Sequence, residues 1–189
     1  MDRLGGTRCK STRVQSNEAK NEEMSQFDTH AYFEKEIRNK MKLAVNGKYV
    51  YSKVTSMQHM EEVIDEFRYH TAFFAVDDTE DGFTFQTGGG YMDRKTIVVY
   101  ILKQYRFGDM NSQKVALAEC KMIYKNVLKK LIRDKSRLEN QMVYLVTERI
   151  PYNEIPGIFA NNCTGLFFTI PVNIPTDLSY KEDEWLTNQ

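Results

Sequence analysis

The sequence predicts an α+β domain in which helices pack against a mostly antiparallel sheet of about five strands. Two patterns carry this prediction: short apolar segments cluster within residues 72–102, and a long helical pattern follows them. The links between those first segments are too short for helical crossovers, which favours antiparallel pairing. The chain of 189 residues, 41% of them hydrophobic, is long enough to bury a core without disulfides or metals.

The chain begins with a polar stretch, residues 1–27, which predicts a flexible basic N-terminal arm ahead of one domain over residues 28–189. The stretch has no hydrophobic period, and basic side chains outnumber acidic ones within its first twenty residues. These basic residues are Arg3, Arg8, Lys10, Arg13 and Lys20. Such an arm either contacts phosphates or an acidic partner, or is only a solvated end.

Apolar residues at helical spacing predict two N-terminal helices. The first covers residues 29–45; Asp28 or Thr29 caps it, and Asn46-Gly47 ends it because both residues tolerate positive φ. Its apolar stripe consists of Tyr32, Phe33, Ile37, Met41, Ala44 and Val45. Residues 49–54 form either a short strand or a linker. The second helix covers about residues 56–69, with Met60, Val63, Ile64 and Phe67 on one side.

Three strands are predicted next, over residues 72–76, 83–87 and 96–102. The third segment is apolar nearly throughout, which indicates a central strand covered on both faces. An acidic turn over residues 77–82 joins the first two strands. The glycines at 88–90 form a flexible hairpin loop that projects between the second and third strands.

A long helix is predicted over residues 110–134, followed by closing strands at 142–149 and 166–174. Its core stripe consists of Leu117, Cys120, Tyr124, Val127 and Leu131. A second, basic face carries Lys114, Lys121, Lys125 and Lys129. Pro171 and Pro175 cannot donate a ladder hydrogen bond, so we expect the last strand to lie at an edge or to leave the sheet.

No combination of residues has the spacing of a catalytic, metal or cofactor site, so we expect no enzymatic activity, no metal and no cofactor. The triglycine lacks the Lys-Ser/Thr of a phosphate loop, and the acidic turn lacks the glutamate that a calcium loop needs at its twelfth position. The three cysteines form no Cys-x-x-Cys pair and are expected to be reduced thiols, with Cys120 in the core. No apolar run is long enough to span a membrane.

Two segments are predicted to contact other subunits. Trp185 is the only tryptophan and lies in an acidic C-terminal stretch, where it either folds back onto the domain or anchors in a partner. The hairpin of Gly88, Gly89, Gly90 and Tyr91 forms a flexible projection that is too polar at its base to be core. Acidic and basic residues balance at 26 each, so electrostatic recognition depends on local segregation of charge.

The C-terminal sequence carries a family resemblance. A glycine-led apolar strand from Gly165, then Asp177-Leu-Ser-Tyr, then Asp183-Glu-Trp185, resembles the tail terminator, or tail completion, proteins of long-tailed bacteriophages and prophages. The order of predicted elements is also similar over roughly residues 28–186. The triglycine hairpin is longer than that family leads us to expect, and the basic arm is additional.

The resemblance implies a structural virion protein, assembled in the cytoplasm of a bacterial host, and supplies no catalytic residues. Its partners would be copies of itself, in a ring that is typically hexameric, and neighbouring tail or neck proteins. The ring would cap the tail tube and help join it to the head. Two alternatives stay open: another neck or connector subunit, or a nucleic-acid-binding accessory protein that contacts DNA through the lysine face of the long helix.

Overall fold

The computed structural model describes residues 27–79 and 82–181, and the fold class predicted from the sequence is confirmed there. Its helices are α1 (Thr29–Ala31), which continues into a π-helix (Tyr32–Arg38), α2 (Lys42–Asn46), α3 (Met57–Glu66), α4 (Met110–Glu139) and a 3₁₀ turn (Ala160–Asn162). Its strands are β1 (Val50–Lys53), β2 (Ala72–Asp77), β3 (Phe83–Thr87), β4 (Gly90–Gln104), β5 (Tyr144–Leu145), β6 (Tyr152–Phe159) and β7 (Cys163–Thr176).

The strands form one sheet in the described part of the chain, with the order β1-β2-β4-β7-β5. β3 pairs with the first residues of β4, and β6 pairs with the first residues of β7. The β1–β2 pair is parallel and the other pairs are antiparallel, so the expectation of a mostly antiparallel sheet is correct. The sheet has seven strands rather than about five, because residues 50–53 are a strand and β6 was not predicted.

β4 is the central strand, as the sequence predicted. Residues Ile97–Leu102 are buried, and they lie between β2 and β7. Ile97, Val99 and Ile101 belong to the larger core, which is covered by α4 and the N-terminal helices. Val98, Tyr100 and Leu102 belong to a second core under α3. Both faces of this part of the sheet are therefore shielded from solvent, which explains its nearly continuous apolar sequence.

Helix α4 covers the sheet as one continuous helix and ends five residues later than predicted, at Glu139 rather than residue 134. Asp109 caps it by accepting hydrogen bonds from the amides of Asn111 and Ser112. Four of the five predicted stripe residues are buried and Leu117 is half-buried. Gly165 allows β7 to pack closely on β4, since a Cβ there would lie 2.0 Å from the Ile101 carbonyl oxygen.

The prediction of one regular helix over residues 29–45 is wrong in detail. Asp28 caps it as expected, but the helix passes through a π-helical segment and is interrupted before α2 begins at Lys42. The wider π turn places both Tyr32 and Ile37, five residues apart, in the core. The interruption turns Val45 to solvent, although it was expected on the apolar stripe.

The first helix ends at the predicted place but not for the predicted reason, and the second ends earlier than residue 69. The first helix ends at Asn46, but Gly47 has φ −77° and the positive φ falls on Lys48. A glycine is required at 47 for space, because a Cβ would lie 2.8 Å from Cε2 of Tyr49. α3 begins after the cap Ser56 and ends at Glu66. Phe67 is exposed, whereas the three residues expected on the same side of the helix, Met60, Val63 and Ile64, are buried.

The C-terminal strands need two corrections. The predicted strand 142–149 shrinks to Tyr144–Leu145, because the amide of Val143 still bonds to Leu138 at the end of α4. β7 is not an edge strand: it pairs with β4 along its whole length and with β5 and β6 on its other side.

The prolines of β7 are compatible with an inner strand because their nitrogen atoms face away from β4. The Pro171 carbonyl accepts from the amide of Val146, so its nitrogen points to the same outer side, into the gap between β5 and β6. By strand alternation the Pro175 nitrogen also faces outward, beyond the end of β5, where no described strand needs the missing donor.

Candidate functional site

The described helices leave one end of the sheet largely uncovered. β3, residues 90–96 of β4 and residues 171–176 of β7 form a three-stranded segment, here called the sheet extension. No residue of β4 before Ile97 is buried, whereas the six residues from Ile97 to Leu102 all are. The register runs unbroken from Tyr91↔Thr176 to Gln104↔Cys163, so the extension continues the core strands outward.

One face of the extension is apolar and aromatic. In register, Phe83 lies opposite Arg94, Phe85 opposite Met92, and Met92 opposite Pro175. These residues share the face that α3 covers further along β4. We call Phe83, Phe85, Met92, Arg94 and Pro175 the aromatic face. Phe83 is 58% exposed, so the ten-residue helix α3 leaves this face open.

Arg94 holds the aromatic face in a defined arrangement. Its guanidinium carbon lies 5.3 Å from the ring centroids of both Phe83 and Phe85, a cation–π geometry. Its Nε donates to Oδ1 of Asn173 at 2.8 Å. Aromatic, Met and Arg side chains are the types enriched at protein interfaces, and arginines and some aromatics are frequent hot spots.

The predicted hairpin contacts lie at the free tip of the extension. Gly88 and Gly89 form a two-residue turn between the paired residues Thr87 and Gly90, so the loop is shorter than the expected three-glycine projection. Gly90 has φ +134°, and a Cβ on any of these three glycines would meet nothing within 4 Å. Tyr91 is exposed and borders a hollow of about 460 Å³ against residues 175–179. Trp185 lies outside the described residues.

The predicted lysine face of α4 is only partly available. Lys121 pairs with Glu154 at 2.6 Å, and Lys129 contacts Asn126 at 3.5 Å. Lys114 and Lys125 are exposed. Sequence reasoning missed the apolar side chains on the same outer surface: Met110, Val115, Met122 and Ile132 are exposed. The seven-residue step from Val115 to Met122 was the available signal, since it places both on one side of a helix.

A buried ionic cluster joins the N-terminal helices to α4. Asp134 is 5% exposed and accepts from the Tyr32 hydroxyl at 3.1 Å, from Lys130 and from Arg137. Burial by itself raises the pKa of Asp134, but the hydrogen bonds from Lys130, Tyr32 and Arg137 outweigh it and lower that pKa below its usual range. Burial, with Asp134 nearby, raises the pKa of Tyr32 well above its usual value. The cluster is a structural anchor.

A second polar cluster lies where β1 and β2 end. His30 contacts the Tyr51 hydroxyl at 2.8 Å through Nδ1 and Asp78 at 3.1 Å through Nε2. Next to it the buried Asp77 accepts from the amide and hydroxyl of Thr79. Over residues 27–79 and 82–181, no three His, Cys, Asp or Glu side chains are grouped to hold a metal ion.

The two described cysteines are buried, as was expected for Cys120. Burial raises the pKa of each thiol, Cys120 and Cys163, to about 12. A thiol with such a pKa is protonated at neutral pH, and the thiolate is the nucleophilic form. The Cys120 sulfur lies 3.7 Å from the Tyr49 hydroxyl, within the core. Among the described helices, none is both long and apolar enough to cross a bilayer.

The described residues thus offer two exposed surfaces of interface composition, the aromatic face of the sheet extension and the outer side of α4. They are carried by different elements, so one subunit can use both at once. The sequence matches no protein-family model and no curated protein.

Proposed function

We propose that this protein is a structural subunit that assembles head to tail into a closed ring, and that the ring caps the tail tube of a long-tailed phage and helps join it to the head. The observation that carries the proposal is the uncovered aromatic face of the sheet extension. An ordered aromatic surface that its own domain leaves open is typical of a protein–protein interface.

Ring geometry requires two different surfaces on each subunit, because a head-to-tail contact joins one patch to an unlike patch. The sheet extension provides the first surface at one end of the sheet. The outer side of α4 provides the second, with cationic and apolar side chains exposed along a helix of 30 residues. Placement in a phage tail rests on the C-terminal resemblance, which supports equally a connector subunit of similar fold in the neck.

The ring is tested by the oligomeric state of the full chain and of the variant Phe83→Asp. We expect the wild type to form a discrete closed ring by sedimentation velocity and electron microscopy. A charge in the aromatic face removes a contact of about 2 kcal/mol or more, which raises the concentration for half-assembly about 30-fold or more. Because Phe83 is more than half exposed, the far-ultraviolet circular dichroism should not change.

Tyr69→Asp is the matched control, since Tyr69 is 98% exposed and lies after α3, away from the extension. It should assemble as the wild type does. A wild type that stays monomeric at all concentrations, or a Phe83→Asp variant that forms rings as readily as the wild type, would contradict the proposal.

Binding of nucleic acid by α4 is the second candidate. The exposed cations Lys114, Lys125, Lys129 and Arg133 favour it, because a line of cations can track a phosphate backbone. The exposed Val115, Met122 and Ile132 between them favour a partner with apolar side chains instead. Fluorescence anisotropy with duplex DNA decides: binding that falls steeply with salt, and that becomes weaker and less salt-dependent in Lys125→Gln, would support the second candidate.

A further inference from the structure

The outer side of α4 combines positive charge with apolar side chains in a pattern that specifies its partner. Seven exposed residues form this surface, which we call the lysine–methionine face: Lys114, Val115, Met122, Lys125, Lys129, Ile132 and Arg133. No ion pair or hydrogen bond joins Lys114, Lys125 or Arg133 to another residue within the described parts of the chain. From Lys114 to Arg133 the face is about 28 Å long at 1.5 Å per residue. Its complement is an extended segment that is acidic and carries large apolar side chains.

The end of the same chain has this composition. After β7 stops at Thr176, residues 177–181 are exposed, including Leu178 and Tyr180. The chain continues with three consecutive acidic residues, Glu182-Asp183-Glu184, and then Trp185-Leu186. Residues 182–189 in extended form span about 26 Å, close to the length of the lysine–methionine face.

The length of the chain after Thr176 favours a neighbouring copy over the same subunit. Thr176 pairs with Tyr91 next to the free tip of the sheet extension. The C-terminal end of α4 leads into β5, which pairs with Val172 and Asn173 further back along β7. From Thr176 to Glu184 the chain reaches at most about 26 Å, and it must first return along the extension and pass a helix about 10 Å wide. The acidic residues can therefore approach the last turns of α4, but Met122 lies about 16 Å further along the helix from Arg133, and Trp185 is only one residue beyond Glu184.

We propose that residues 182–189 of one subunit bind the lysine–methionine face of α4 in the next subunit. The acidic residues pair with Lys125, Lys129 and Arg133, and Trp185 packs between Val115 and Met122. The proposal rests on the proposed ring, since it requires a neighbouring copy. It specifies the second surface of the head-to-tail contact, the one that receives a neighbour's C-terminal segment, and gives Trp185 a defined partner.

The test uses the full chain and its single tryptophan, whose emission reports the surroundings of the segment. The face variant is Lys125→Glu with Lys129→Glu, and the segment variant is Glu182→Lys with Asp183→Lys and Glu184→Lys. In the wild type we expect the emission maximum of Trp185 to shift to shorter wavelength in step with assembly. Each variant alone should lose that shift and need about tenfold more protein for half-assembly.

An equimolar mixture of the two variants is the decisive sample. The reversed segment of one variant fits the reversed face of the other, so alternating subunits should restore the blue-shifted emission and bring half-assembly back to within about threefold of the wild type. Lys42→Glu with Lys48→Glu makes the same change in net charge at exposed positions outside α4 and should behave as the wild type.

The possible failures are distinguishable. If the mixture stays defective while a chain carrying both sets of substitutions recovers, the segment binds its own subunit and the proposal is overturned. If rings form and the face variant leaves the Trp185 emission unchanged, the segment binds elsewhere; the inference then fails and the proposed function stands. If the wild type never assembles, both fail.

Discussion

β4 is one strand in one unbroken register with β7, yet its first half, residues 90–96, is not buried and its second half, residues 97–102, is. From Ile97 to Leu102 each side chain is covered, by α4 on one face and α3 on the other. From Gly90 to Thr96 no residue is buried, although β3 pairs with residues 90–94 and β7 with residues 91–96. Strand pairing therefore fixes the position of the sheet extension, while burial of the other half supplies the stability of the domain. This division leaves the aromatic face exposed on paired strands.

The largest difference between the covered part of the sheet and the sheet extension should appear when an aromatic ring is removed from each. Phe168 is fully buried, with its ring centroid 4.9 Å from that of Tyr124, so Phe168→Ala should lower the free energy of unfolding by about 3–5 kcal/mol. Phe83→Ala removes a mostly exposed ring and should cost less than about 1 kcal/mol. Urea unfolding at concentrations below assembly measures both. Equal losses would mean that the extension is part of the stabilising core.

A pair of glycines tests the same contrast in the backbone. Gly165→Ala places a Cβ 2.0 Å from the Ile101 carbonyl oxygen, so β4 and β7 must separate, at a cost of about 1–3 kcal/mol or more. Gly89→Ala, at the tip of the extension, meets nothing within 4 Å and should stay within about 0.5 kcal/mol of the wild type. Thermal unfolding compares them, and a Gly165→Ala variant as stable as the wild type would show that the strands can shift at no cost.

Sequence reasoning succeeded where one strong period runs through a segment. The apolar run of residues 96–102 and the three-four spacing of α4 each indicate burial by themselves, and the structure confirms both. β6 was missed because Pro156 lies within it and polar residues interrupt it; such a strand survives at the edge of the sheet, where a missing donor is tolerated.

The candidate surfaces were predicted unevenly. The four lysines were found because they share one helix, where spacing alone determines the face. The aromatic face was missed because Phe83, Arg94 and Asn173 meet only through the pairing of three strands, and the register of β7 against β4 cannot be read from local sequence. The glycines of the tip were recognisable since a tight turn selects them directly.

The last prediction concerns the buried charge that joins the N-terminal helices to the covered half. Asp134→Asn keeps the shape of the side chain but removes the negative charge that pairs with Lys130 and Arg137. Because those two partners are partly exposed, the loss at pH 7 should be about 1–2 kcal/mol, below that of a fully buried pair. Urea unfolding of both proteins from pH 7 to pH 3 measures the difference.

The pH dependence has a definite sign. The pKa of Asp134 is lower in the folded protein than the value near 4 of an unfolded aspartate, so its contribution is fully present above about pH 4 and is lost as the pH falls below it. The gap between wild type and Asp134→Asn should therefore close towards pH 3. Glu36→Gln is the control: it breaks the exposed i,i+4 pair with Lys40, which contributes little. A gap that stays constant down to pH 3 would mean that Asp134 acts through packing rather than charge, and the N-terminal helices would then be held to α4 by packing such as that of Tyr32 and Ile37.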